Sequence, residues 1–208
     1  MRIWSVQEFG GRFHNPPEEA VSIDDDAVEA PGPVAGDPMV LPAPRRQAME
    51  NFHRLLRRSW IGGGAFCQLY SLDRSEGDTT PAPETVISLF WDLADADALP
   101  ADIAGCSIAW LAEGRVWPET PQQFGDALYK ALSEGGVAGE GLSPDEAEEQ
   151  VSEYLEALFD PAEEDDLYFF GLDPGFSCWF CDGEYDIAYV ILNTEEDWLA
   201  LFMATDQE

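Results

Sequence analysis

Residues 175–192 read GFSCWFCDGEYDIAYVIL, and the folding of this stretch decides how the C-terminal half of the chain is arranged. Asp182 and Gly183 stand between two runs rich in aromatic and β-branched residues. An Asp-Gly pair in that setting is the strongest short signal for a β-hairpin, because both residues tolerate the positive φ of a two-residue turn. The turn sets a register with Phe180 opposite Tyr185, Cys178 opposite Ile187 and Phe176 opposite Tyr189, which makes one face apolar. The other face carries Ser177, Trp179 and Cys181 against Glu184, Asp186 and Ala188.

The same stretch holds two cysteines three apart, Cys178 and Cys181, which raises a metal or redox site. On a strand, side chains three apart point to opposite faces, so these thiols cannot converge on one ion or close a disulfide. A structural zinc site also needs further Cys or His ligands at short spacings. Cys67 and Cys106 are isolated in sequence, and His14 and His53 are the only histidines. A thioredoxin-like pair needs positive charge or a helix N-terminus to lower its thiol pKa, and the neighbours here are acidic. The expectation is no metal and no cofactor, with the cysteines acting as small buried hydrophobes.

Upstream and downstream of this stretch, LYFFGL and WLALFMA extend the pattern into an antiparallel meander. Two helices precede it. Thr120-Pro121-Gln122-Gln123 and Ser143-Pro144-Asp145-Glu146 both fit a capping box with proline at the first helical position, and Gly135-Gly136 ends the first helix. Earlier, RRQAMENFHRLLRRSW places Met49, Phe52, Leu55, Leu56 and Trp60 at helical spacing. Gly62, Gly63 and Gly64 stop that helix; without a following Lys-Ser/Thr they do not make a phosphate loop. AFCQLYSL and TVISLFWDL read as strands, and CSIAWLAEGRVWP as a strand pair turning near Glu113-Gly114. Residues 1–9 suit a short strand, and residues 15–44, rich in Pro and acids without sustained period, suit a long mobile loop. The reading is therefore one α+β domain over residues 1–208, mainly antiparallel sheet with about three helices and this acidic loop near the N-terminus.

Hydrophobic residues make up 45% of the 208 and aromatics 12%, enough for a sizeable core, so the chain is not a disordered acidic tail. No apolar run approaches the ~20 residues of a membrane span, and MRIWSVQEF lacks the pattern of a secretory signal. With no apparent disulfide framework, this places the chain in the cytoplasm. Charge is the informative quantity: 42 acidic against 10 basic residues give a formal −32. Residues 131–208 contain 22 Asp and Glu and no Lys or Arg. Such a field repels nucleic acid and anionic membrane and draws in cationic partners. Half of the basic residues, Arg45, Arg46, Arg54, Arg57 and Arg58, fall on the first helix. Their expected counterpart is the acidic loop or a second copy of the chain, giving a homodimer through this helix.

The charge becomes specific on SPDEAEEQVSEYLEALFD, where Ala147, Val151, Tyr154, Leu155 and Leu158 face inward. Glu146, Glu149, Glu153 and Glu156 then line one outer stripe without a cation to pair with. Like charges at these spacings cost a helix about 0.2–0.5 kcal/mol per pair, and a solvated helix ordinarily mixes in lysines. Glu163, Glu164, Asp165 and Asp166 follow directly, and then the hairpin face with Trp179, Glu184 and Asp186. Aromatic side chains rimmed by charge are common interface anchors, so these residues together form the candidate partner-binding surface.

No nucleophile elbow, HExxH pair or phosphate loop is present, and a carboxylate pair among 42 acids has no specificity. The chain reads as a binding protein rather than an enzyme, with no catalytic residue assigned. The leading expectation is a stoichiometric inhibitor of the immunity or antitoxin kind that occludes a basic toxin such as a nuclease. The alternatives are a nucleic-acid mimic that inhibits a DNA-binding protein, and a halophile-adapted enzyme. Along the glutamate stripe the axial step is about 5 Å per charge, against 3.4 Å per phosphate on one DNA strand, a loose match, and the aromatic-rich hairpin and single compact domain favour the inhibitor over the mimic.

Overall fold

The computed structural model describes residues 34–60, 64–73, 80–100, 103, 107–111, 114–136, 140–159, 166–177, 179–180 and 185–206. Its strands are β1 (Val34–Met39), β2 (Gly64–Asp73), β3 (Val116–Glu119), β4 (Leu167–Leu172), β5 (Ile187–Asn193) and β6 (Trp198–Thr205). The helices are α1 (Ala43–Ser59), α2 (Pro83–Asp95), α3 (Ile108–Leu111), α4 (Pro121–Glu134) and α5 (Pro144–Leu158). The strands form one sheet in the order β1-β2-β6-β5-β4-β3, with every neighbouring pair antiparallel. The α+β class is as expected from sequence, with five α-helices among the described residues in place of about three. None of the described helices is long and apolar enough to cross a membrane.

Strand alternation splits the interior into two cores. Ile187, Tyr189 and Ile191 of β5, with Trp198, Ala200, Phe202 and Ala204 of β6, face a first core shared with α1, α4 and α5. Ala188, Val190 and Leu192, with Leu199, Leu201 and Met203, face a second core shared with α2 and α3. Both strands are buried along their whole length, which explains their continuous apolar sequences: a strand covered on both faces loses the polar half of its alternation. The two edges carry proline, Pro118 in β3 and Pro38 beside a register shift in β1. Proline and bulges blunt an exposed edge against pairing with another chain.

The hairpin expected within residues 175–192 is replaced by a different pairing. β5 lies between β4 and β6, so Tyr189 stands opposite Gly171 and Phe202 and not opposite Phe176. Phe176 belongs to a 3-10 turn, Pro174–Phe176, opened by Asp173, whose side chain accepts a hydrogen bond from the Gly175 N–H at 2.9 Å. The aromatic residues after the turn fill the second core: Phe176 meets Phe90 and Phe180 at 5.6 Å between ring centroids. The aromatic content of this segment serves packing in a turn and not strand pairing. Cys178 and residues 181–184, including Cys181 and the Asp-Gly pair, lie outside the described residues.

Two further segments differ from their sequence reading. TVISLFWDL is α2, whose Val86, Leu89, Phe90 and Leu93 are buried at helical spacing. Pro83 occupies its first turn, and the Ala82 N–H donates to Thr85 Oγ1 at 3.1 Å, satisfying one of the backbone groups at the helix start. Ile108 and Leu111, three apart and both buried, form the single turn α3 in place of a strand before β3. Arg115 secures this region by stacking 3.6 Å over the Trp110 ring and pairing with Asp173 at 2.8 Å. Residues 34–39, the end of the stretch expected as a loop, form β1, and α1 begins at Ala43. Residues 15–33 of that loop and the strand expected at residues 1–9 lie outside the described residues.

Candidate functional site

The charged stripe rests on α5, a helix fixed at both ends. At its start Ser143 and Glu146 form the reciprocal cap read from the sequence: Ser143 N–H donates to Glu146 Oε2 at 3.2 Å and Glu146 N–H to Ser143 Oγ at 3.4 Å. The Ser143 hydroxyl also donates to Glu146 at 2.5 Å, and these bonds hold the Glu146 carboxyl below its ordinary pKa. Glu146 is therefore a capping residue. At the other end Arg45 of α1 donates from Nε to the Ala157 carbonyl and from its terminal nitrogen to the Leu158 carbonyl, both at 2.6 Å. A cation at the C-terminal carbonyls also complements the helix dipole. Ala147, Val151, Tyr154, Leu155 and Leu158 are buried as expected, and Ala157 with them.

Glu149, Glu153 and Glu156 are exposed on the opposite side of α5. Glu153 accepts a long bond, 3.4 Å, from Gln150; no cation among the described residues pairs with any of the three. Tyr154, between them in sequence, packs inward on Phe52 and Phe202 at 4.4 and 5.9 Å between centroids, so the stripe stands on a rigid base.

The other candidate residues do not gather on this surface. Asp166 is half-buried at the head of β4, its carbonyl accepting from Thr194 N–H at 3.0 Å and from Thr194 Oγ1 at 3.2 Å. Asp186 precedes β5 at the far end of the sheet, roughly 25 Å away at ~3.4 Å per strand residue, and accepts from Thr205 Oγ1 at 2.5 Å. Trp179 is half-buried against the second core, 5.3 Å from Phe66 and 5.1 Å from Phe180. The sheet therefore separates Trp179 from α5, and the described part of the candidate surface reduces to the three α5 glutamates. Glu163, Glu164, Asp165 and Glu184 lie outside the described residues.

On α1, an open depression of about 330 Å³ is lined by Gln47, Glu50, Asn51, His53, Arg54 and Arg57. Gln47 and Arg54 both donate to Asn51 Oδ1, at 3.1 and 2.8 Å, and Arg57 donates to the Ala65 carbonyl at 3.0 Å. Burial first, then the Arg57 charge, lowers His53 to a pKa of about 4, so it is neutral at pH 7. Burial pushes the Cys67 thiol up to about 12, so a nucleophilic thiolate is not populated. No group of three or more His, Cys, Asp or Glu among the described residues is placed to hold a metal ion. The structural use of Arg45 was hidden in the sequence, and that of Glu146 was not. The Arg45 contact spans more than a hundred positions, whereas the Glu146 cap was visible but was also counted in the stripe.

No protein-family model and no curated protein matches this chain. Among solved structures it is similar to a crystal structure of citrus MAF1, at 12% identity and a TM-score of 0.39, covering 75% of this chain and 96% of that one. A likeness of that size says nothing about what this chain binds.

Proposed function

We propose that the chain is an acidic stoichiometric inhibitor, of the immunity or antitoxin kind, that occludes a basic protein such as a nuclease toxin. The carrying observation is the exposed row Glu149, Glu153 and Glu156 on a helix capped at both ends, with no cation among the described residues paired to it. Repulsion along the row opposes helix formation, and the buried face and the two caps offset it. A basic partner turns the same repulsion into binding energy by neutralising three charges already held in place. The surrounding field, −32 over the chain, adds rate: it steers a cation toward the surface before contact. The contact is centred on Glu149, Glu153 and Glu156 of α5.

The test is capture from the native host on the immobilised full chain, followed by titration of the recovered protein's own activity with the chain. The proposal expects a basic protein whose activity falls linearly to zero at a fixed molar ratio. Recovery of a DNA-binding protein released by duplex DNA would replace this reading with the mimic, and a partner whose activity is unaffected would overturn inhibition.

A further inference from the structure

The outer surface of the α1/α5 layer is self-complementary, and we propose that it joins two copies of this chain in a weak, reversible dimer that covers the glutamate row. α1 exposes Arg46, Arg54 and Arg58, with Glu50 the one acid facing outward among them. Arg46 reaches Glu50 only at 3.8 Å, and no described ion pair links α1 to α5. A positive row thus lies beside a negative one without neutralising it. Arg45 at the C-terminal carbonyls of α5 sets the relative height of the two helices. Arg46 stands near the level of Glu156. Eight residues along α1, about 12 Å, bring Arg54 to the level that α5 reaches at Glu149 after about 10 Å in the opposite direction.

A two-fold axis parallel to the helices and lying between them places α1 of one copy over α5 of the other, twice, at these matching heights. Such an interface is isologous: one patch serves both sides. With helices about 25 and 22 Å long and packed about 10 Å apart, the face measures roughly 20 by 25 Å. That is the size of a transient contact, one that a tighter basic partner can displace. The remaining charge opposes dimerisation, since each chain carries −32. The balance is set by screening. At low ionic strength the Debye length, about 30 Å at 0.01 M, lets whole-chain repulsion dominate; at 0.15 M it shrinks to about 8 Å and the local rows decide.

Sedimentation velocity of the full chain across a concentration series tests this with no foreign protein present, so its outcome is separate from that of the inhibition experiment. Dimer is expected to peak near about 0.15 M salt and to weaken toward both about 0.01 M and about 1 M. The double variants Arg54→Glu/Arg58→Glu and Glu149→Lys/Glu153→Lys should each lose self-association more than about tenfold. Mixed together they should form a heterodimer, because each then offers the charge the other lacks. A wild-type chain that stays monomeric at every salt concentration, a dimer that survives either reversal, or folded variants that fail to pair on mixing would overturn the proposal. Should a reversal disrupt folding, as read by circular dichroism, the milder Arg54→Gln/Arg58→Gln is expected to weaken the dimer, and an unchanged dimer there would count against it.

Discussion

His53 links the interior of α1 to pH in a way that can be worked through. Its Nε2 is buried with no hydrogen-bond partner, and its ring lies among Phe52, Tyr154 and Phe202. Burial, and then Arg57, lowers its pKa from 6.5 to about 4. As pH falls, the unfolded chain therefore takes up the proton first. The stabilising effect of a neutral His53 is complete above the unfolded pKa and is lost as pH falls from 6.5 toward 4, below which both states are protonated. At 1.36 kcal/mol per pKa unit, the shift caps this loss at about 3 kcal/mol, of which about 2 kcal/mol is gone by about pH 5. Carboxylates titrate in the same range, so the quantity to measure is a difference. Urea unfolding of the wild type and of His53→Phe, each at about pH 7.5 and about pH 5, should show the wild type losing about 2 kcal/mol more than the variant. Equal losses would refute the argument.

Replacing Arg45 by Met keeps the aliphatic stem and removes two charge-assisted bonds to α5; a cost of about 1–3 kcal/mol is expected by chemical denaturation. Ser143→Ala should cost about 0.5–2 kcal/mol at the other end of the same helix, read as a lower melting temperature. Gly136 has φ +70°, and a Cβ there would collide with Asp206 and Trp60, so Gly136→Ala should destabilise by more than about 1 kcal/mol. Cys67, with its thiol near 12, should react with iodoacetamide in the folded chain far more slowly than in urea, as followed by mass spectrometry.

The elements that carry their own start and stop signals were legible in the sequence. α4 and α5 begin at the expected capping boxes, and α4 ends at Gly135 with φ +76°. What the sequence obscured is pairing. LYFFGL, IAYVIL and WLALFMA were all recognisable as strands, but the partner of β5 proved to be β4, across the 3-10 turn. The signal for that break was present in Asp173-Pro174-Gly175, a capping residue followed by two turn formers, and the Asp-Gly pair downstream outweighed it. α2 was lost because Val86, Ile87 and Phe90 favour strands by composition, while their spacing with Leu89 and Leu93 is helical. Of the candidate site, the glutamate row was visible as periodicity, but the separation of Trp179 from α5 depends on which face of the sheet each covers. No local pattern encodes that.

The central claim is that Glu149, Glu153 and Glu156 form the contact with a basic partner. Substituting all three by Gln removes three charges at nearly constant volume and relieves two like-charge pairs, so the free chain should hold or gain a few tenths of a kcal/mol per pair. Calorimetric titration of this variant and of the wild type against the captured partner, repeated across salt concentrations, is the decisive measurement. Burial of the row in the interface predicts a loss above about 2 kcal/mol, close to 30-fold in Kd, with a shallower dependence on salt. Unchanged affinity and unchanged salt dependence, in a variant shown to be folded, would contradict the account.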